Sequence, residues 1–169
     1  MNEKIILQNS AGAFLKQNGH YLLMKRSPDR KIAPDVWSCV GGHSEPDEIN
    51  DPMAACLREI HEETGISKDH IFSLELRYII VRRAKNAIRQ NYVYFGETDV
   101  SGIIDTKEGT LHWIHEKDLL NREFTKTFEA MLKHYINMPD KQKRVVVGVA
   151  ENHFGKLNMT WSVVEDFEM

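Results

Sequence analysis

Between positions 58 and 66 the chain reads Arg-Glu-Ile-His-Glu-Glu-Thr-Gly-Ile, which spaces Glu59, Glu62 and Glu63 at i, i+3 and i+4. On a helix that spacing puts three carboxylates on one face within a single turn. Like charges so placed repel by roughly 0.2–0.5 kcal/mol per pair. With no basic residue interleaved on that face, the cluster is either a solvated acidic surface or a cation site. The helix is well specified. Asp51-Pro52 supplies an N-cap and a proline at the first helical position, where its missing N–H costs nothing, and Gly65 suits the left-handed residue that ends a helix. Met53, Leu57, Ile60 and Thr64 form the expected packing stripe, about 140° around the axis from the acids at about 100° per residue. The packing and acidic faces are therefore expected to be separate.

At 169 residues the chain has room for one domain with a sizeable core and too little for two. Its 41% hydrophobic and 28% charged residues place it among soluble globular proteins rather than disordered or membrane chains. A net charge of −3 argues against stable nucleic-acid binding. No run is long and apolar enough for a signal peptide or a membrane span, so the expectation is a cytoplasmic protein without a membrane partner. Cys39 and Cys56 stand outside any CxxC pattern and read as reduced thiols in or near the core.

Asn18-Gly19 between two apolar-rich runs predicts a hairpin over residues 12–26, because both turn residues tolerate positive φ. Strands are expected over 71–83, 91–98 and 111–115, from their aromatic and β-branched content. The segment Ala84-Lys85-Asn86-Ala87-Ile88-Arg89-Gln90 is expected to link the first two. With Arg82, Arg83, Lys85 and Arg89 around it, it reads as an exposed hairpin tip in preference to a phosphate-binding rim. A helical turn over 116–121 precedes a helix over 124–138, with Phe124, Phe128, Met131, Leu132 and Tyr135 on one side and Pro139 as its stop. The charged linker 140–144 leads to a second hairpin, 145–150 and 159–167. This order of elements suggests an α/β or α+β sandwich with a mixed sheet.

With the helix placed, residues 41–66 resemble the signature of the Nudix hydrolase family: Gly, five residues, Glu, seven residues, then Arg-Glu-apolar-any-Glu-Glu-any-Gly-apolar. Arg58 to Ile66 matches at every specified position, and Gly42 and Glu48 match the first part. Nine residues instead of seven separate Glu48 from Arg58. The additional two fall around Ile49-Asn50-Asp51, before the helix, so they lengthen a loop and make Glu48 the least secure of the matched positions. The resemblance implies an α/β/α sandwich with a mixed β-sheet as a single domain over 1–169. Its core spans about 12–138, and 139–169 form an appended C-terminal hairpin available for a homodimer contact.

The resemblance further implies metal-dependent hydrolysis of a nucleoside diphosphate linked to another group, X, including nucleoside triphosphates and their oxidised forms. By matching residues, Glu59, Glu62 and Glu63 would be metal ligands together with the Gly41 carbonyl. Mg²⁺ suits such oxygen ligands, and Mn²⁺ substitutes. Arg58 would orient Glu59. The general base would be Glu59 or a later loop acid, for which Glu108 is the candidate and Glu97 the fallback. His43 and Glu45 follow the glycine pair. Phe14, Lys25, Arg26, Arg30, Trp37 and Tyr78 offer stacking surfaces or phosphate donors, and Arg26, Arg30 and Trp37 are taken as the substrate contacts. Two other readings share the fold. An isopentenyl-diphosphate isomerase would need a cysteine where Gly41 stands, and a non-catalytic nucleotide sensor would be expected to have lost carboxylates that are all present here.

Overall fold

Alternation along the first two strands decides the architecture. Ala11, Ala13, Leu15, Leu22 and Met24 join one apolar cluster, while Phe14, Tyr21 and Leu23, which point the other way, join a second. A computed structural model of the chain describes residues 4–30, 33–138 and 144–166. It contains β1 (Ile6–Gln17), β2 (His20–Arg26), β3 (Trp37–Ser38), β4 (Val40–His43), α1 (Pro52–Thr64), β5 (Ile71–Ala84), β6 (Ala87–Thr98), β7 (Gly109–His115), α2 (Lys126–Asn137), β8 (Val145–His153) and β9 (Lys156–Val164).

The strands form one mixed sheet in the order β3-β2-β1-β6-β5-β8-β9, with β4 also paired to β1 and β7 to β2. β1 runs parallel to β6 and β5 parallel to β8, and the remaining pairs are antiparallel. Ala55, Cys56 and Ile60 of α1 pack on one face, and Met131 and Leu132 of α2 on the other. The result is the expected α/β/α sandwich, with β8 and β9 extending its sheet. One edge of β1 is shared. Residues 10–13 pair with β4 and residues 15–17 with β2, so the sheet parts where the glycine pair of β4 lies.

Several expectations need correction. β1 starts at Ile6 rather than at residue 12, because its first half pairs in register with β6. The supposed 84–90 linker is mostly strand. The turn is Lys85-Asn86, with Lys85 at φ 54°, and Arg82 and Arg89 face each other across the ladder. Phe124 is buried just before α2, in an isolated bridge to Trp37, and the helix begins two residues later. The turn over Glu116–Asn121 is 3-10. The last hairpin closes at Phe154-Gly155, both at positive φ, so its strands are longer on the turn side than expected. Lys156–Val164 ends before Phe167, which with Pro139 and 140–143 of the charged linker lies outside the described residues.

The helix α1 is capped as expected. Asp51 accepts from the Ala54 N–H at 3.0 Å, and Gly65 takes φ 76°. Its buried face is different. Ala55, Cys56, Ile60, Glu63 and Thr64 are buried, while Met53 and Leu57 are only partly so. The inward face is thus rotated toward the acids, and Glu63 lies on it.

Candidate active site

The glycine pair of β4 and the acids of α1 meet because nothing separates them. A Cβ on Gly42 would stand 2.5 Å from Glu59 Oε2, so only glycine leaves room for that carboxylate. Gly41, at φ 151°, donates its N–H to Glu63 Oε2 at 2.7 Å. Glu63 is 5% exposed, and burial, followed by the opposing effects of the Gly41 hydrogen bond and of Glu59 and Glu108, pushes its carboxyl up to about 8. Burial also raises Glu59, against the lowering effect of Arg58. Glu62 stands apart, with its side chain 56% exposed.

Arg58 ties these elements together. Its Nε donates to Glu48 Oε1 at 2.7 Å and its Nη2 to Glu48 Oε2 at 2.9 Å. Nη2 also reaches the His43 carbonyl at 3.0 Å, and Nη1 reaches Glu59 at 3.0 Å and Glu62 at 3.1 Å. Arg58 makes its two-point pair with Glu48, and Glu59, which it was expected to orient, receives one bond. The Glu45 N–H completes the hold on Glu48 at 2.9 Å. These hydrogen bonds keep the Glu48 carboxyl down at about 2.

Glu108 arrives from the other side. Its loop is fixed by Ser27 N–H to the Glu108 carbonyl at 3.0 Å and by Leu111 N–H to Asp105 at 2.8 Å. Its carboxylate is a neighbour of Glu63 and Glu59 and pairs with Arg30 at 3.3 Å. Arg26 lies close by, its guanidinium lowered mainly by burial and then by Arg30. Glu59, Glu63 and Glu108 are therefore brought together with Arg26 and Arg30, without Glu62, at one end of a cleft of about 890 Å³, whose walls include Gly41, Glu59, Glu108, Arg26, Arg30 and Trp37.

Not all candidates belong there. Phe14 and Tyr78 are core residues, 0% and 1% exposed, since each points from the sheet into the α2 layer. Lys25 and Glu97 point away from the cleft walls on the exposed sides of their strands. Trp37 carries the Arg122 guanidinium 5.3 Å from its ring centre and has His112 edge-on, so only part of its ring is available. His43 lines the cleft. Cys39 also lines it but is buried, which pushes its thiol up to about 12, and Cys56 is a buried free thiol. The hairpin-tip reading of Arg82 and Arg89 is wrong: both line the far end of the cleft with Gln8. Their strand period could have revealed it, because residues 82 and 89 fall on the same face as Ile80 and Asn91 across the ladder.

Among the described residues no three acids, imidazoles or thiols converge as a ready coordination shell. The chemistry of the donors nevertheless suits a hard cation. Glu59, Glu63 and Glu108 are oxygen donors; burial, and after it the neighbouring acid charges, raise the carboxyls of Glu59 and Glu63, and a divalent ion would relieve that repulsion.

The NUDIX domain family model matches residues 6–135. Two curated relatives, the nucleoside triphosphatases NudI of Enterobacter sp. (strain 638) and Klebsiella pneumoniae (strain 342), are each 43% identical over 51 residues, which is 30% of this chain. The chain spans only 35% of their length. Among solved structures, the mutator MutT protein from Bacillus halodurans superposes with a TM-score of 0.71 at 17% identity, over 92% of this chain and 97% of that one. A Caenorhabditis elegans Ap4A hydrolase gives 0.61 at 17% identity, over 78% and 96%. No helix among the described residues is long and apolar enough to cross a membrane.

Proposed function

The chain belongs to the NUDIX family, and from that premise we propose that it hydrolyses the diphosphate bond of a nucleoside diphosphate linked to another group, with nucleoside triphosphates as the first class to test. The observation that carries this reading is the meeting of Glu59, Glu63 and Glu108 with Arg26 and Arg30 at one end of the cleft. Acids there suit a cation, and the arginines suit phosphate oxygens, which a guanidinium binds at two points. The relatives named nucleoside triphosphatase favour triphosphates.

Glu59, Glu62, Glu63 and the Gly41 carbonyl would hold Mg²⁺, or Mn²⁺ in its place. A bound divalent ion neutralises diphosphate charge and makes water more acidic. Arg58 is a positioning residue. It holds Glu59 and Glu62 by one hydrogen bond each, while Glu48 anchors its other side. Arg26 and Arg30 bind the diphosphate oxygens, and the open part of Trp37 lies against the nucleoside. Water attacks phosphorus, the bridging P–O bond breaks, and the water proton passes to a carboxylate, Glu59 or Glu108.

The isomerase reading loses ground on Cys39, whose buried thiol is a poor proton donor. Incubation with Mg²⁺ and a panel of nucleoside triphosphates, oxidised nucleotides, nucleotide sugars, dinucleoside polyphosphates and isopentenyl diphosphate tests the proposal. Phosphate or pyrophosphate release that falls at least about 100-fold in Glu59→Gln is expected, the loss of about 2.7 kcal/mol of barrier lowering. No release from any compound, or an undiminished rate in that variant, overturns it.

A further inference from the structure

Arg82 of β5 and Arg89 of β6 stand directly opposite each other in an antiparallel ladder, both partly buried, at the end of the cleft away from the acids. Like charges in that register destabilise a sheet. Among the described residues no carboxylate lies within ion-pairing distance of either guanidinium. Arg89 Nε is held by Gln8 Oε1 at 2.8 Å, a neutral partner that aims the group without discharging it. Ser10 and Asn91, hydrogen-bonded to each other, form the polar floor between this end and the glycine pair. A repelling pair that is oriented, walled into a cleft and left without an acid has the construction of an anion site.

The register gives its distance from the acids. Gly12 pairs with Gly41, and Gln8 pairs with Arg89, both through β1. Four residues of strand at roughly 3.3 Å each separate the two ends by roughly 13 Å, and long arginine side chains shorten the gap. The two arginines therefore stand at a different strand position from the acids.

We propose that Arg82 and Arg89 form a second phosphate subsite, which takes a phosphate group carried by the X part of a nucleoside diphosphate derivative. The inference rests on the reading of the acidic end as the diphosphate site. Two guanidiniums offer bidentate, charge-assisted hydrogen bonds to one phosphate, and its charge removes the repulsion between them. Gln8 keeps Arg89 turned into the cleft. The preferred substrate is therefore anionic at both ends.

A matched pair of nucleotide sugars tests this, one with a neutral sugar and one carrying an added phosphate monoester on it. In the wild-type protein kcat/KM should be at least about tenfold higher for the phosphorylated compound, the scale of one charge-assisted hydrogen bond, and the gain should appear in KM. Arg82→Gln and Arg89→Gln should erase that advantage, and Arg82→Lys should restore part of it. Thermal unfolding of the Gln variants should be unchanged or higher, since a repulsion is removed, which separates loss of binding from loss of fold. Equal kcat/KM for the two compounds in the wild type, or equal losses on both in the variants, overturns the subsite. If neither compound is hydrolysed while a nucleoside triphosphate is, the diphosphatase reading stands, and calorimetric titration with the phosphorylated nucleotide sugar decides the subsite. A Kd at least about tenfold weaker in Arg82→Gln supports it, and an equal Kd refutes it.

Discussion

Arg58 and Glu48 form a two-point ion pair, Nε to Oε1 at 2.7 Å and Nη2 to Oε2 at 2.9 Å, across the very loop that the family pattern would make two residues shorter. The longer loop turns through residues 45–51 and still delivers Glu48 to the helix, with the Glu45 and Asp51 N–H groups closing its turns. The additional length is absorbed by backbone that carries no site residue.

Replacement of Glu48 by Gln should release Arg58 from its anchor and let Glu59 and Glu62 drift. The expected loss in Mg²⁺-dependent turnover is about 10- to 100-fold, as for partners that orient metal ligands. Kinetics with titrated Mg²⁺ check it, and an unchanged Mg²⁺ requirement would count against the role.

The same pair predicts an acid response. The Glu48 carboxyl is held near 2 in the folded chain, below the roughly 4.3 of an unfolded glutamate. Its contribution is thus complete above about pH 4.3 and is lost as pH falls toward 2. Urea unfolding should show wild type more stable than Glu48→Gln at pH 6, with the gap closing between about pH 4 and pH 2.

Gly42→Ala places a methyl group 2.5 Å from Glu59 Oε2. The carboxylate, at the end of a flexible side chain, must move. Turnover should fall at least about tenfold while the melting temperature changes little, because no core residue is displaced. Parallel activity assays and thermal melts distinguish this from general damage.

Glu108→Gln separates the two candidate bases. Turnover reduced by less than about threefold, below about 0.7 kcal/mol of barrier, excludes Glu108 and leaves Glu59. A fall of about 100-fold or more with an unchanged Mg²⁺ dependence assigns it the proton transfer.

Asp51→Ala removes the side-chain cap on the Ala54 N–H. A cost of about 1 kcal/mol is expected, which lowers the melting temperature of a chain this size by about 2–4 °C. Activity at 25 °C should be retained, since the cap lies two turns before the acids.

Local signals carried much of the fold. Asn18-Gly19 specified the first hairpin, and Asp51-Pro52 and Gly65 bounded the first helix, because caps and turns act through residues a few positions apart. Where the reading failed, the deciding partner was remote. The first half of β1 is interrupted by the polar run Gln8-Asn9-Ser10, and pairing with β6 makes it strand. The arginines at 82 and 89 look like a solvated tip until β1 and the cleft are set beside them.

The acids, their helical spacing and Arg58 are legible in nine consecutive residues at the end of one helix, a motif that needs no other part of the chain to be recognised. Packing of distant elements sets the rest: Glu63 is buried against the Gly41 N–H and Glu62 exposed, Arg58 makes its two-point bond with Glu48, and Glu108 reaches the same acids from a loop 45 residues beyond Glu63. Helical spacing says which side chains share a face, whereas burial, and with it the strength of every charge in the site, depends on what the sheet packs against that face.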